Sequence, residues 1–421
     1  MTLRKLAIVA AMTMLSSNAT AQPSFYLQDG DRVVLYGDSI TEQRFYTRDV
    51  QDYVATRYPM LNIQFHNAGI AGDTVRGGYT GDSATRVSRD VKPWDPNVIT
   101  IMLGMNDGGY VPPDKDILAA YETGYVNLLH MLRDAAPSAR MTLLENTPYD
   151  EITHGTEFKG YMATTEQNAQ AAIALADQEH LAVVDTNTPV VQVLKRAKSA
   201  DASFASLLVP DRIHPSEPLH WVMAGALMKA WRLDPVVSSV IIDGDAHEVA
   251  KSERTTVTNL AGDTKHIEWD QMDEALPLPF NFDSELMNFV LGNSDLFSLD
   301  QEMLKVRGLP ANRYALRIDG MAIGSFTAQQ LGKGVNLATL KTPMWKQARQ
   351  YDGKLGERSV LESADVTLNY ATQVAERADG SRVLREGQAE IEQKLKAFVR
   401  PVKHHYVLVA VEAANTETAS R

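Results

Sequence analysis

Cysteine is absent from all 421 residues. Disulfides, thiolate metal sites and a cysteine nucleophile are therefore excluded. Long apolar runs are also missing. The N-terminal run from Leu6 to Leu15 is interrupted by Thr13 and falls well short of the roughly 20 residues that span a bilayer; no later stretch is apolar enough to do so. Clustered positive charge is lacking too. With a formal net charge of −12 and no long Lys/Arg tract, neither nucleic acid nor an anionic membrane surface is an expected partner. No internal repeat or low-complexity tract is present.

What is present begins with a leader. Basic Arg4 and Lys5 precede the apolar run, and Ala19-Thr20-Ala21 supplies the small residues a signal peptidase needs. Residues 1–21 read as an export signal cut before Gln22, so a secreted or periplasmic protein is expected. An uncleaved anchor is the alternative, and the shortness of the run argues against it. The remainder is too long for one ordinary core, which suggests two domains.

From Asp31 to about Asp234, short apolar runs alternate with helical patterns, as in a parallel sheet flanked by helices. Strands are expected at Arg32 to Tyr36, Asn62 to His66, Val98 to Leu103, Met141 to Glu145 and Leu181 to Asp185. Tyr121, Tyr125, Leu128, Leu129 and Leu132 share one helical face. A last helix runs from about Leu219 to Trp231. Asp234-Pro235 marks the boundary between residues 22–234 and a C-terminal region, 235–421, because the residue before proline is pushed away from helical geometry. Beyond it, strand candidates at Val236 to Ile242 and Tyr406 to Val411, a hairpin turning at Asp319-Gly320, and helices near Phe326 to Leu340 and Arg385 to Val399 make an α+β accessory region.

Four loops hold the residues able to do chemistry. Gly37-Asp38-Ser39-Ile40-Thr41 follows the first strand, where a serine stands at the carboxyl edge of the sheet. By itself this is also an ordinary helix-capping sequence. A serine attacks an acyl carbon only if a base takes its proton and a third group orients that base. Asp211-Arg212-Ile213-His214-Pro215 offers both within one tight loop. Acyl transfer also needs donors aimed at the oxygen that becomes negative. Gly72, in Asn67 to Thr74 after the second strand, and Asn106, in Gly104-Met105-Asn106-Asp107 after the third, stand where such donors are required. All four loops fall on the same edge of the expected sheet.

With these blocks in this order, the chain resembles the SGNH or GDSL hydrolases, a family named for the Ser, Gly, Asn and His that match here as Ser39, Gly72, Asn106 and His214. The resemblance covers Asp31 to about Trp231. It implies a flavodoxin-like three-layer αβα SGNH hydrolase domain, a Ser39–His214–Asp211 mechanism with Ser39, Gly72 and Asn106 as the oxyanion hole, and no cofactor or metal. Tyr149, after Asn146-Thr147-Pro148, is at most a lining residue. A metal site from Asp211, His214 and His220 would leave the other blocks unexplained, and His220 reads as a packing residue.

The expected substrate is a small-molecule or glycan ester. Arg76, Tyr79, Asp82, Tyr110, Asp150 and His154 make a polar and aromatic set of site loops suited to a sugar, so an O-acetyl group on a carbohydrate is favoured. A short-chain lipase or thioesterase is the alternative, and a glycan-binding protein with a vestigial hydrolase unit is another. Trp269, Phe280, Phe282 and Trp345 in the C-terminal region are expected in its core rather than stacked on sugars. Oligomeric state is left open.

Overall fold

The computed structural model describes residues 24–155, 158–371 and 374–411. The export signal expected at 1–21 lies outside these. The first apolar run forms strand β1, Arg32–Gly37, in which five of six residues are buried. That pattern is the mark of a strand covered on both faces. The chain then makes a one-turn helix α1, Ser39–Glu42, and a longer helix α2, Phe45–Arg57. Next come β2, Gln64–Gly69, β3, Val98–Met102, α3, Lys115–Ala135, and β4, Arg140–Leu144. Helix α4, Tyr161–Gln178, strand β5, Ala182–Val184, helix α5, Asn187–Ala200, and helix α6, Glu217–Ala230, complete this part.

These five strands are all parallel, in the order β2-β1-β3-β4-β5. This is the flavodoxin-like order of a doubly wound sheet. The order reverses at β1, between β2 and β3, which opens a crevice at the carboxyl end of β1. One buried cluster lies beneath each face of the sheet. Tyr121, Tyr125, Leu128, Leu129 and Leu132 of α3 fill one of them, as their spacing predicts. The second strand begins and ends later than expected, since Asn67, Ala68 and Gly69 pair with β1 instead of starting the loop.

The C-terminal region starts with β6, Val236–Asp243, β7, Glu248–Glu253, β8, Thr255–Asp263, and β9, His266–Asp273, followed by helix α7, Glu285–Asn293. Strands β10, Gln301–Arg307, β11, Arg313–Ile318, β12, Met321–Thr327, and β13, Val335–Asn336, follow. Two long helices, α8, Pro343–Ala371, and α9, Val374–Phe398, precede the last strand β14, His404–Ala410. The strands form two sheets, β8-β9-β14-β11-β12 and β13-β10-β6-β7, which enclose a core of Val240, Ile242, Trp269, Leu304, Leu316 and Leu408. The hairpin at Asp319-Gly320 is present as β11 and β12.

One expectation needs correction, and one helix goes beyond the expected elements. The helix placed at Phe326 to Leu340 is six residues, Ala328–Lys333. Thr327 caps its start, and Gly334, at φ +109°, turns the chain into β13. The 29-residue helix α8 was not foreseen, because its buried side includes Asp352, Ser359, Glu362 and Asp365, which erase the apolar stripe.

The two regions share a core across the Asp234-Pro235 junction. Leu278, Phe280, Val290, Leu296 and Leu299 lie in the same buried cluster as Tyr53 of α2 and Trp221 and Leu227 of α6. Arg57, the last residue of α2 and wholly buried, donates to the Pro235 carbonyl at 2.9 Å and pairs with buried Asp300 at 2.9 Å. Helix α8 reaches further, to β2. Glu362 accepts from the Asn67 N–H at 3.0 Å and lies 3.2 Å from His66 Nδ1. Burial works against its charge, yet His66, Arg358 and Arg44 hold the carboxyl down at about 2.

Candidate active site

Ser39 stands in the crevice because β1 stops at Gly37 and the chain turns at once into α1. Asp38 caps that turn, its Oδ1 accepting from the Ile40 N–H at 3.0 Å. Capping and exposure of the serine are thus compatible, the cap falling to Asp38 and the first helical position to Ser39. The turn packs so tightly that a Cβ at Gly37 would lie 2.1 Å from Thr41 Oγ1 and 2.8 Å from the Met102 carbonyl. Asn67 locks the same turn from β2, donating through Nδ2 to the Thr41 carbonyl at 2.7 Å.

The expected partners converge on the hydroxyl from 175 residues away. His214 Nε2 is 2.7 Å from Ser39 Oγ, and His214 Nδ1 is 2.5 Å from Asp211 Oδ2. Asp211 Oδ1 accepts the Ile213 and His214 N–H groups at 3.0 and 2.7 Å, so one carboxylate both shapes the loop and faces the imidazole. Burial would raise the Asp211 carboxyl, but the N–H and ring of His214 and the Ile213 N–H outweigh it and hold it below its ordinary value. Arg212, at φ +70°, makes the bend, and its carbonyl accepts the Asp150 N–H at 2.8 Å.

Gly72 and Asn106 stand in the loops that follow β2 and β3. Gly72 sits at φ +71° with nothing within 4 Å of a notional Cβ, so backbone conformation, not crowding, requires glycine there. Asn106 is held from both ends of its amide. Its Nδ2 donates to the Asp73 carbonyl at 2.9 Å, and the Tyr110 hydroxyl donates to its Oδ1 at 3.0 Å. Because an amide nitrogen has two hydrogens, one remains for a ligand. Ser39 N–H, at the first turn of α1, has no preceding helical carbonyl to bond.

The remaining candidates divide. Tyr110 supports Asn106, and Tyr79 is exposed. Asp150 is fully buried and does not line the site; its carboxylate accepts the Ile152 and Thr153 N–H groups, both at 2.8 Å. His154 contacts the Val209 carbonyl at 2.7 Å, so it braces the Asp211 loop. Asp82 caps a short helix, accepting from Thr85 N–H. Tyr149 is buried against Tyr110, Phe158 and Tyr161. His220 is buried on Tyr46, whose N–H its Nδ1 accepts at 3.2 Å, and burial pushes it down to about 3.

Two supports escaped sequence reasoning. Arg86 is wholly buried, donating to Asp73 Oδ2 at 2.6 Å and to the Ala68 carbonyl at 2.7 Å, and so ties down the loop that carries Gly72. Asp107 Oδ1 accepts from Val75 N–H at 2.9 Å at the same loop's far end; burial pushes this carboxyl up to about 7. Neither an arginine in a one-turn helix nor an aspartate in a turn gives a local sign of such a role.

The fold is a doubly wound, parallel α/β sheet, and the chain is an ester-hydrolysing enzyme. Residues 35–222 match the model of the GDSL-like Lipase/Acylhydrolase family. An acetylxylan esterase of Geobacillus stearothermophilus is 26% identical over 224 residues, 48% of this chain and 93% of the relative. The solved structure of BT4096, a gut microbial diltiazem-metabolizing enzyme, is 26% identical with a TM-score of 0.78, covering 91% of this chain and 98% of that one. The likeness therefore runs through the C-terminal region as well. The crystal structure of Axe2, an acetylxylan esterase from Geobacillus stearothermophilus, is 23% identical with a TM-score of 0.41, covering 50% of this chain and 97% of that one. Among the described residues no helix is long and apolar enough to cross a membrane.

Proposed function

We propose that this protein is an exported serine esterase that removes O-acetyl groups from a carbohydrate. The observation behind the mechanism is the unbroken chain from Ser39 Oγ through His214 to Asp211. Ser39 attacks the ester carbonyl while His214 Nε2 takes its proton. The oxygen of the tetrahedral intermediate is held by Ser39 N–H, Gly72 N–H and the Asn106 amide. His214 then gives the proton to the departing alcohol, leaving an acetyl-enzyme. Water, deprotonated by the same imidazole, attacks that ester, and acetate leaves as Ser39 regains its proton. Asp211 keeps the imidazole in the productive tautomer throughout.

The carbohydrate assignment is supported by the acetylxylan esterase relative, which matches most of its own length here. A second reading, a compact organic ester as substrate, is favoured by the likeness to the diltiazem-metabolizing enzyme over most of the chain. Purified wild type should release acetate from acetylated xylan and cleave p-nitrophenyl acetate, and Ser39→Ala should do neither. A Ser39→Ala variant with wild-type turnover would end the proposal. Greatest activity on nitrophenyl esters of eight or more carbons would remove the acetyl assignment.

A further inference from the structure

The aromatic residues of the C-terminal region that would suit sugar stacking are spent on its interior. Trp269 and Phe280 are fully buried, and Trp345 donates its indole N–H to the Phe280 carbonyl at 2.9 Å. One aromatic pair is arranged differently. Tyr79 occupies the tip of a short hairpin, between paired Gly78 and Gly81, and 68% of it is exposed. Its ring meets that of Tyr370, near the end of α8, edge to face at 6.0 Å between centroids.

This pair stands beside the site. The hairpin lies directly on the loop carrying Gly72, since a Cβ at Gly78 would sit 2.7 Å from Asp73 Oδ1 and 3.3 Å from the Gly72 carbonyl. The pair is also held in place. Arg89 donates to the Thr80 carbonyl at 2.8 Å and places its guanidinium 5.7 Å from the centre of the Tyr370 ring. A large ring fixed in position, mostly exposed, and bordering an acyl-transfer site is a platform for the apolar face of a pyranose.

We propose that Tyr79 and Tyr370 form a subsite for a sugar ring of the alcohol portion of the substrate, and that the C-terminal region thereby contributes to the specificity surface. The inference rests on the acetyl-esterase reading above. It also gives a functional reason for the docking of α8 on β2 through Glu362.

The test compares kcat/KM on acetylated xylobiose with kcat/KM on p-nitrophenyl acetate, using the full mature chain. Tyr79→Ala and Tyr370→Ala should each lower the ratio of the two about tenfold, equivalent to about 1.4 kcal/mol, chiefly through KM for the sugar ester. Tyr370→Phe keeps the ring and should stay within about threefold of wild type. Tyr79→Ala guards against misfolding, because an exposed hairpin tip contributes little to the core. Unchanged ratios in correctly folded Ala variants would overturn the subsite. So would a wild type that cleaves p-nitrophenyl acetate but leaves acetylated xylobiose intact. Undiminished activity of Ser39→Ala on both substrates would instead defeat the underlying mechanism, so the two failures are distinguishable.

Discussion

Replacing Arg57 by Met should destabilise the whole protein, and by more at alkaline than at acid pH. Arg57 joins the catalytic unit to the C-terminal region by its pair with Asp300, both side chains being fully buried. Asp300 also accepts the Leu278 N–H at 2.9 Å, which would be its remaining support. Removing one partner of a buried pair costs about 3 to 5 kcal/mol, because the other charge is left uncompensated. Burial holds the Asp300 carboxyl at about 6 even with Arg57 pulling it down, so without the guanidinium it rises further. A carboxyl whose folded pKa exceeds its unfolded value of about 4 loses stability as pH rises towards the folded value, at about 1.4 kcal/mol per unit. The wild type therefore declines on this account only up to about pH 6, whereas the variant continues to decline beyond it. Urea titrations at pH 5 and pH 8, followed by both tryptophan fluorescence and esterase activity, should show one shared transition with a larger Arg57→Met penalty at pH 8. Arg57→Met combined with Asp300→Leu should recover part of the loss. A penalty below about 1 kcal/mol, or one equal at the two pH values, would refute the reasoning.

The remaining predictions concern the site. Asp211→Asn keeps an oxygen for the Ile213 and His214 N–H groups but loses the orienting charge. Its kcat on p-nitrophenyl acetate should fall about 10⁴-fold with only a small drop in melting temperature, and a fall below tenfold would contradict the assigned role. Tyr110→Phe removes the hydroxyl that holds Asn106; losing a bond of about 1 kcal/mol should lower kcat about fivefold. Asp107→Asn retains an acceptor for Val75 N–H and removes a carboxyl that burial raises to about 7. Because a raised carboxyl loses stability as pH climbs from about 4 to that value, the variant's melting temperature should change less between pH 4.5 and 7.5 than the wild type's.

The sequence by itself determined the parallel sheet and the loops that carry the candidate site. Four of the five strands are almost wholly buried runs, and each site block is a short turn at a strand end or before a helix, so residues three to five positions apart specify it. Asp38 capping Ile40, and Asp211 folding its loop around His214, are of this local kind. Boundaries were less legible: Asn67 to Gly69 read as loop by composition and pair as strand. Only the tertiary structure decided how the C-terminal region bears on the site. Arg57 meets Asp300 across 243 positions, and Glu362 meets Asn67 across 295. Tyr370 reaches Tyr79 in the same long-range way. Such contacts leave no periodicity in the chain. The buried acids of α8 even disguise the helix that makes them, because a polar residue satisfied by a distant partner reads locally as a solvated one.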